Sequence, residues 1–369
     1  MTDTQAPSLA TNPDHSKIQN TNTEISANHL EEFEVGKYRG IGKLSIKNIA
    51  KMNLIVGRNA SGKTSLLEAI WLFYNRRNPQ TLWHADLSRS GYDYADPVAE
   101  LGREGEISMN GIQGGSRHTY LATFQTFHTR HHARRQKTLN PNSDKLQVVG
   151  NLRVQLDAKD MGAGSVETLH TREGLVKLPI LNRKTPSSLL LPNSFLGRDS
   201  IRFSRIIRRS QKESLIRQLR LILPLLKDVD IIVESDGDPY ILGTTEAGES
   251  YKLEDMGGGM VRLFDCLVAL YTSRNGIVCM DEIESGLHYT LLPEFWKSMR
   301  LLSEKLNVQI FAATHSRECI NAAIEAYKDR PTDIRIYAMY YNNNEGHIKS
   351  VSYSGDELDA INSMNIEVR

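Results

Sequence analysis

Cysteine is scarce in this chain. The three present, Cys266, Cys279 and Cys319, sit in apolar stretches without the paired spacing of a metal site. That excludes a disulfide-stapled scaffold and fits a reducing compartment. Long apolar runs are missing as well: none approaches the roughly 20 residues that a membrane-spanning helix needs. The first residues also lack the basic-then-apolar order of a secretion signal. The expected location is therefore the cytoplasm, without a membrane partner. Neither sign of charge dominates, since 45 basic and 44 acidic residues leave a formal net charge of +1. No global field draws the chain to nucleic acid, so any such affinity must come from local clusters. No heptad pattern is sustained, which excludes long coiled-coil arms. What is present, 40% hydrophobic residues in a chain of 369, suffices for a sizeable core.

One stretch stands apart. Leu54-Ile55-Val56 is an apolar run entering Gly57-Arg58-Asn59-Ala60-Ser61-Gly62-Lys63-Thr64-Ser65, after which Leu66, Leu67, Ala69 and Ile70 recur at helical spacing. Strand, glycine-framed loop and helix in this register read as a P-loop, in which small residues let successive backbone N–H groups turn inward around phosphate oxygens. The helix directs its positive end at the same anion. The pattern assigns residues Gly57 to Ser65 to ATP. Lys63 falls to the β- and γ-phosphates, and the Thr64 hydroxyl to the Mg2+ ion that bridges them.

Hydrolysis needs further groups at the ends of other strands. Gly276-Ile277-Val278-Cys279-Met280 is an apolar run of the length of a buried parallel strand, and it ends in Asp281 and Glu282. Asp281 suits a hold on the metal, and Glu282 is placed to polarise the attacking water. A third strand, Gln309 to Ala313, ends in Thr314-His315-Ser316, where His315 would sense the γ-phosphate. Singly these signals are weak, because Asp-Glu after a strand is often a helix cap and a lone histidine is commonly structural. In this order they reinforce one another.

The order of P-loop, acidic pair with Ser285-Gly286-Leu287-His288, and Thr314-His315-Ser316 resembles the ABC-type ATPase heads of the RecF, SMC and OLD proteins. Residues 37–75 and 250–369 are especially similar to the compact AAA_15-type members, down to Tyr353-Ser354-Gly355-Asp356-Glu357-Leu358 and Ile366-Glu367-Val368-Arg369. The resemblance implies an α/β fold: an ABC-type P-loop ATPase head, its mostly parallel sheet flanked by helices, with an antiparallel β-subdomain and a small helical insertion. It also implies ATP and Mg2+ as cofactors. A homodimer or higher homo-oligomer of heads follows, in which a signature loop from a second copy completes each site. The candidate loop is Leu253 to Arg262, with Gly257, Gly258 and Gly259 facing nucleotide. Gly257 stands where such loops carry serine, so contact would rest on backbone N–H groups. OLD nucleases carry a Toprim domain for which this sequence has no room, so an ATPase without that nuclease is expected. No Q-loop glutamine is assignable; Gln113 and Gln125 are candidates. In related heads the opening hairpin lies near the nucleotide base.

By composition, residues 1–35 read as a tail rich in Thr, Asn, Ser, Asp and Pro. Residues 36–369 form the head, with 87–227 as an inserted β/helical region. Two basic clusters break the neutral average: His128 to Lys137, and Arg198, Arg202, Arg205, Arg208, Arg209, Lys212, Arg217 and Arg220 along a helical stretch. Either would serve a phosphate backbone or an acidic protein, or simply a solvated face. Small stand-alone ATPases of this kind commonly belong to bacterial anti-phage systems, with the ATPase component of the PARIS system the nearest likeness. That likeness implies an effector protein partner, and DNA or a DNA-mimicking protein on the basic face. The RecF side of the resemblance implies instead a repair or recombination ATPase on duplex DNA, and a third reading is an ATP-locked scaffold.

Overall fold

The computed structural model describes residues 28–78, 81–82, 105–129, 147–157, 159–167, 185–192, 197–221, 223–234, 239–354 and 357. Alternation builds its first strands. In β1 (Leu30–Lys37) the side chains of Leu30, Phe33 and Val35 are buried while Glu31, Gly36 and Lys37 face out. This strand corrects the expected tail, because polar composition averaged over 35 residues hides a short alternating run at its end. Residues 1–27 lie outside the described residues. A short β2 (Leu44–Ile46) pairs back on β1, and β3 (Met52–Gly57), buried at every position, leads through the glycine-framed loop into α1 (Lys63–Tyr74).

The strands β4 (Glu106–Gln113), β5 (Ser116–Thr129), β6 (Gln147–Leu156) and β7 (Lys159–Glu167) follow as an antiparallel meander. With β1 and β2 they make one six-stranded sheet in the order β2-β1-β4-β5-β6-β7. β8 (Ser187–Leu190) lies within the span 87–227 expected as the inserted region. It leaves that region to pair in parallel with a strand of the second sheet, Ile277–Met280. A lobe of α2 (Gly197–Arg208), α3 (Lys212–Leu219) and the small sheet β9 (Leu226–Ile232), β10 (Tyr240–Thr245) and β11 (Ser250–Lys252) comes next.

From α4 (Gly258–Thr272) the chain alternates: β12 (Ile277–Met280), α5 (Leu292–Leu306), β13 (Gln309–Thr314), α6 (Arg317–Ala326), then β14 (Ile334–Asn342) and β15 (His347–Tyr353). The second sheet has the order β15-β14-β3-β13-β12-β8 and is parallel except for β15. Its strands are near-continuous apolar runs because both faces are covered. On one face Leu54, Val278 and Ile310 pack with α4, α5 and α6 residues such as Phe264, Trp296 and Ile320. On the other, Ile55, Cys279 and Phe311 meet Leu66, Ile70 and Phe73 of α1, which in turn packs against the antiparallel sheet through Phe33 and Met109. Helix α1 is therefore clamped between two sheets, which fixes the loop at its start.

Candidate functional site

Three neighbouring parallel strands, β3, β13 and β12, end at one edge, with Val56 opposite Thr314 and Met280 opposite Ala312. The loop, His315 and the acidic pair thus converge at the carboxyl ends of the strands, where open α/β sheets bind ligands. Gly62 precedes α1 with φ +88°, and the helix has no side-chain cap, so its first amides face the loop interior. The Ser61 hydroxyl is buried there without a partner. Lys63 Nζ donates to the carbonyls of Gly57 and Arg58, each at 2.8 Å. Burial lowers its pKa, while the carboxylates of Asp281, Glu282 and Glu284 act in the opposite direction.

Thr64 Oγ1 donates to Asp281 Oδ2 at 2.5 Å, joining residues 217 positions apart. Two hard oxygen donors side by side, with an ammonium and orphan helix amides opposite, fit a Mg2+ ion shared with nucleotide phosphates. Among the described residues no group of three or more His, Cys, Asp or Glu side chains is placed to hold a metal ion.

Glu282 adopts φ +45°, a left-handed conformation that costs a non-glycine residue about 1 kcal/mol or more. The cause is visible. The buried guanidinium of Arg262, one turn into α4, donates to the backbone carbonyls of Asp281, Glu282 and Ile283, the last two at 3.0 and 3.4 Å. The acidic turn is folded around that cation, and Ile283 N–H is tied to the Ala313 carbonyl at 3.1 Å. Glu284, next along, has a largely buried side chain and lies 3.8 Å from His315 Nδ1. Sequence reading missed both residues. Arg262, which with Asp265 is a charged residue in the largely apolar run Met260 to Tyr271, was the available signal, since a buried guanidinium must find several acceptors. For Glu284 no comparable signal existed.

The signature-loop candidate forms a short turn over Leu253–Met256, then Gly257 at φ +105° and ψ 152°, then α4 without a side-chain cap. Gly257 and Gly258 are exposed. Gly259 packs so closely on Gly286 that a Cβ there would lie 2.8 Å from the Gly286 carbonyl oxygen. The loop is thereby fastened to the turn that follows Glu282. A cavity of about 510 Å³ adjoins the outer side of the P-loop and is lined by Arg58, Asn59, Tyr340, Tyr341 and Tyr353 among others. It is bounded by the closing hairpin of β14 and β15, whereas the expectation for the base concerned the opening one.

Gln113 lies away from this edge and is spent structurally, accepting from Arg76 at 2.9 Å and donating to the Asn28 carbonyl at 3.1 Å. The side chain of Gln125 and residues 130–137 of the first basic cluster lie outside the described residues. The second cluster divides. Lys212 bridges Asp228 and Asp230, and Arg220 holds the Leu226 and Lys227 carbonyls. Arg205, Arg208 and Arg209 stand exposed on and just after α2 with no ion pair to any described residue.

A P-loop sheet sandwiched against an antiparallel sheet, with the acidic strand β12 and the histidine strand β13 beside it, is the fold of an ABC-type P-loop ATPase head. More particularly, the chain belongs to the AAA_21 family, described as "AAA domain, putative AbiEii toxin, Type IV TA system", whose model matches residues 52–321. The DNA replication and repair protein RecF of Oceanobacillus iheyensis is 37% identical over 67 residues, 18% of each chain. That of Limosilactobacillus fermentum is 29% identical over 105 residues, 27% of this chain and 28% of the relative. The chain therefore aligns with less than a third of the length of these relatives. Among solved structures, the Smc head domain of Pyrococcus furiosus bound to the C-terminal domain of ScpA matches with a TM-score of 0.49. It has 13% identity, over 91% of this chain and 99% of that one.

Proposed function

We propose that this chain hydrolyses ATP in a Mg2+-dependent cycle, at sites completed by a second copy. The observation that carries the reading is the Thr64–Asp281 contact, which puts the P-loop and the acidic strand on one ligand position. Thr64 and Asp281 would hold a Mg2+ ion, which would supply positive charge against the nucleotide phosphates. Lys63 would exchange the Gly57 and Arg58 carbonyls for phosphate oxygens, while the amides of Gly57 to Ser65 cradle the rest. Glu282 takes the proton of the attacking water as its oxygen bonds to the γ-phosphorus; the bond to the β-phosphate oxygen breaks, and ADP and phosphate leave. His315 contacts the γ-phosphate, and the exposed amides after Gly257 approach the nucleotide of the partner head.

The cycle serves a conformational switch that controls a separate effector in anti-phage defence. Support for this comes from the family description, which names a toxin–antitoxin system, and from the exposed Arg205, Arg208 and Arg209, which have no ion pair among the described residues and suit DNA or a DNA-mimicking protein. A cytoplasmic setting agrees with three reduced cysteines and with the absence, among the described residues, of any helix long and apolar enough to cross a membrane. The RecF relatives favour a second reading, in which the same arginines clamp duplex DNA directly.

Steady-state ATP hydrolysis by wild type, Lys63→Ala, Glu282→Gln and a charge reversal at Arg205, Arg208 and Arg209, with and without duplex DNA, tests this. Turnover lost in the first two variants and kept in the third supports the site. DNA stimulation that falls steeply with salt and vanishes in the third selects the RecF-like reading. Glu282→Gln turning over like wild type contradicts the site.

A further inference from the structure

Glu284 is the group that the proposed mechanism leaves unused. Its side chain is 13% exposed, and both carboxylate oxygens are buried without a hydrogen-bond partner among the described residues. Removing a carboxylate from water without compensation costs several kcal/mol, so a partner must come close in some state of the protein. Three basic groups stand near the turn. Arg262 is spent on the carbonyls of residues 281–283. Lys63 is held by the Gly57 and Arg58 carbonyls and, once nucleotide enters, belongs to phosphate. His315 remains, with its Nδ1 3.8 Å from Glu284 Oε1 and its side chain 52% exposed towards the strand-end edge.

The backbone holds both groups in place. The bond from Ile283 N–H to the Ala313 carbonyl pins the Glu284 turn to β13 two residues before His315. On the other side Ser316 caps α6, its hydroxyl accepting from the Cys319 N–H at 3.1 Å. His315 thus sits on a rigid junction between a buried strand and a capped helix. About 1 Å of side-chain rotation would bring the pair to hydrogen-bond distance.

Resting on the ATPase reading above, we infer that Glu284 is a positioning residue for His315: it accepts the Nδ1–H, fixes the ring's orientation, and directs the ring's opposite edge at the γ-phosphate. The carboxylate stays off the substrate. The pair makes the site respond to the third phosphate, and so distinguishes ATP from ADP before any bond is broken. It is a carboxylate–histidine arrangement of the kind that orients a ring through its far nitrogen.

The test is equilibrium binding of ATP and of ADP, each with Mg2+, to wild type, Glu284→Gln, His315→Gln and the double variant. Thermal melting confirms that each is folded. The charge-keeping Glu284→Asp provides a second route if the amide variant is unstable. The expected result is an ATP-over-ADP affinity ratio about tenfold lower in Glu284→Gln and His315→Gln alike, with no further loss in the double variant and ADP affinity unchanged throughout. Glu284→Asp should retain part of the preference. Losses that multiply, or a Glu284→Gln variant that weakens ADP and ATP equally, overturn the pairing. Failure of the underlying reading looks different: nucleotide binding would then survive Lys63→Ala unchanged.

Discussion

At the scale of single residues, the acidic turn shows how a strained backbone is kept. Glu282 holds a conformation that glycine would adopt freely, because Arg262 collects the carbonyls of Asp281, Glu282 and Ile283 from beneath. Glu282→Gly should therefore unfold at a urea concentration no lower than wild type, gaining up to about 1 kcal/mol, while losing ATP turnover. Stability lost together with activity would mean that the turn is not strained. Arg262→Lys should cost roughly 2–4 kcal/mol in the same measurement, since a single ammonium cannot reach three carbonyls and leaves buried acceptors unsatisfied. That Lys63, Thr64, Asp281, Glu282 and His315 gather at one edge was legible in the sequence because each follows an apolar strand. Arg262 and Glu284 were not, because their importance lies in what the folded backbone brings within reach of them.

At the scale of elements, the parallel strands announced themselves as unbroken apolar runs, and β3, β12 and β13 lie within a residue or two of where those runs end. Helices α4 to α6 were equally legible from their apolar period. β1 and β8 were harder. The first hides in a polar composition, and the second is four residues whose place beside β12 depends on long-range pairing. The contact between the chain's beginning and the base of β13 gives a pH-dependent prediction. His29 Nε2 lies 3.4 Å from the Asn307 carbonyl, and burial, with Lys51 nearby, lowers its pKa from 6.5 to about 4. The unfolded chain binds this proton more readily, so stability falls as pH drops from 6.5 towards 4, by up to roughly 3 kcal/mol. His29→Gln should flatten that part of a urea-midpoint-against-pH curve; an unchanged slope would assign the acid sensitivity to other groups.

At the scale of the whole molecule, the proposed function has the exposed loop after Gly257 complete the site of a second head. The Gly259–Gly286 contact and Arg262 fasten that loop to the head's own acidic turn. Under the proposed function, a nucleotide gripped by the loop of one head would thus be felt at Glu282 of the same head, which would link two paired sites mechanically. A shared site of this kind predicts that turnover at one P-loop needs the loop of a second head. Position 258 offers a clean probe, because a Cβ there meets only Gly286 Cα at 3.8 Å and a longer side chain projects outward without disturbing the fold.

The most direct measurement mixes two inactive variants, Lys63→Ala and Gly258→Glu, and follows ATP hydrolysis as their ratio changes. In a mixed pair the intact P-loop of one head faces the intact loop of the other, so the account predicts that activity returns, reaching about a quarter of wild type at equal amounts. Two dead variants that stay dead when mixed, while forming mixed pairs by light scattering, would contradict a site shared between heads.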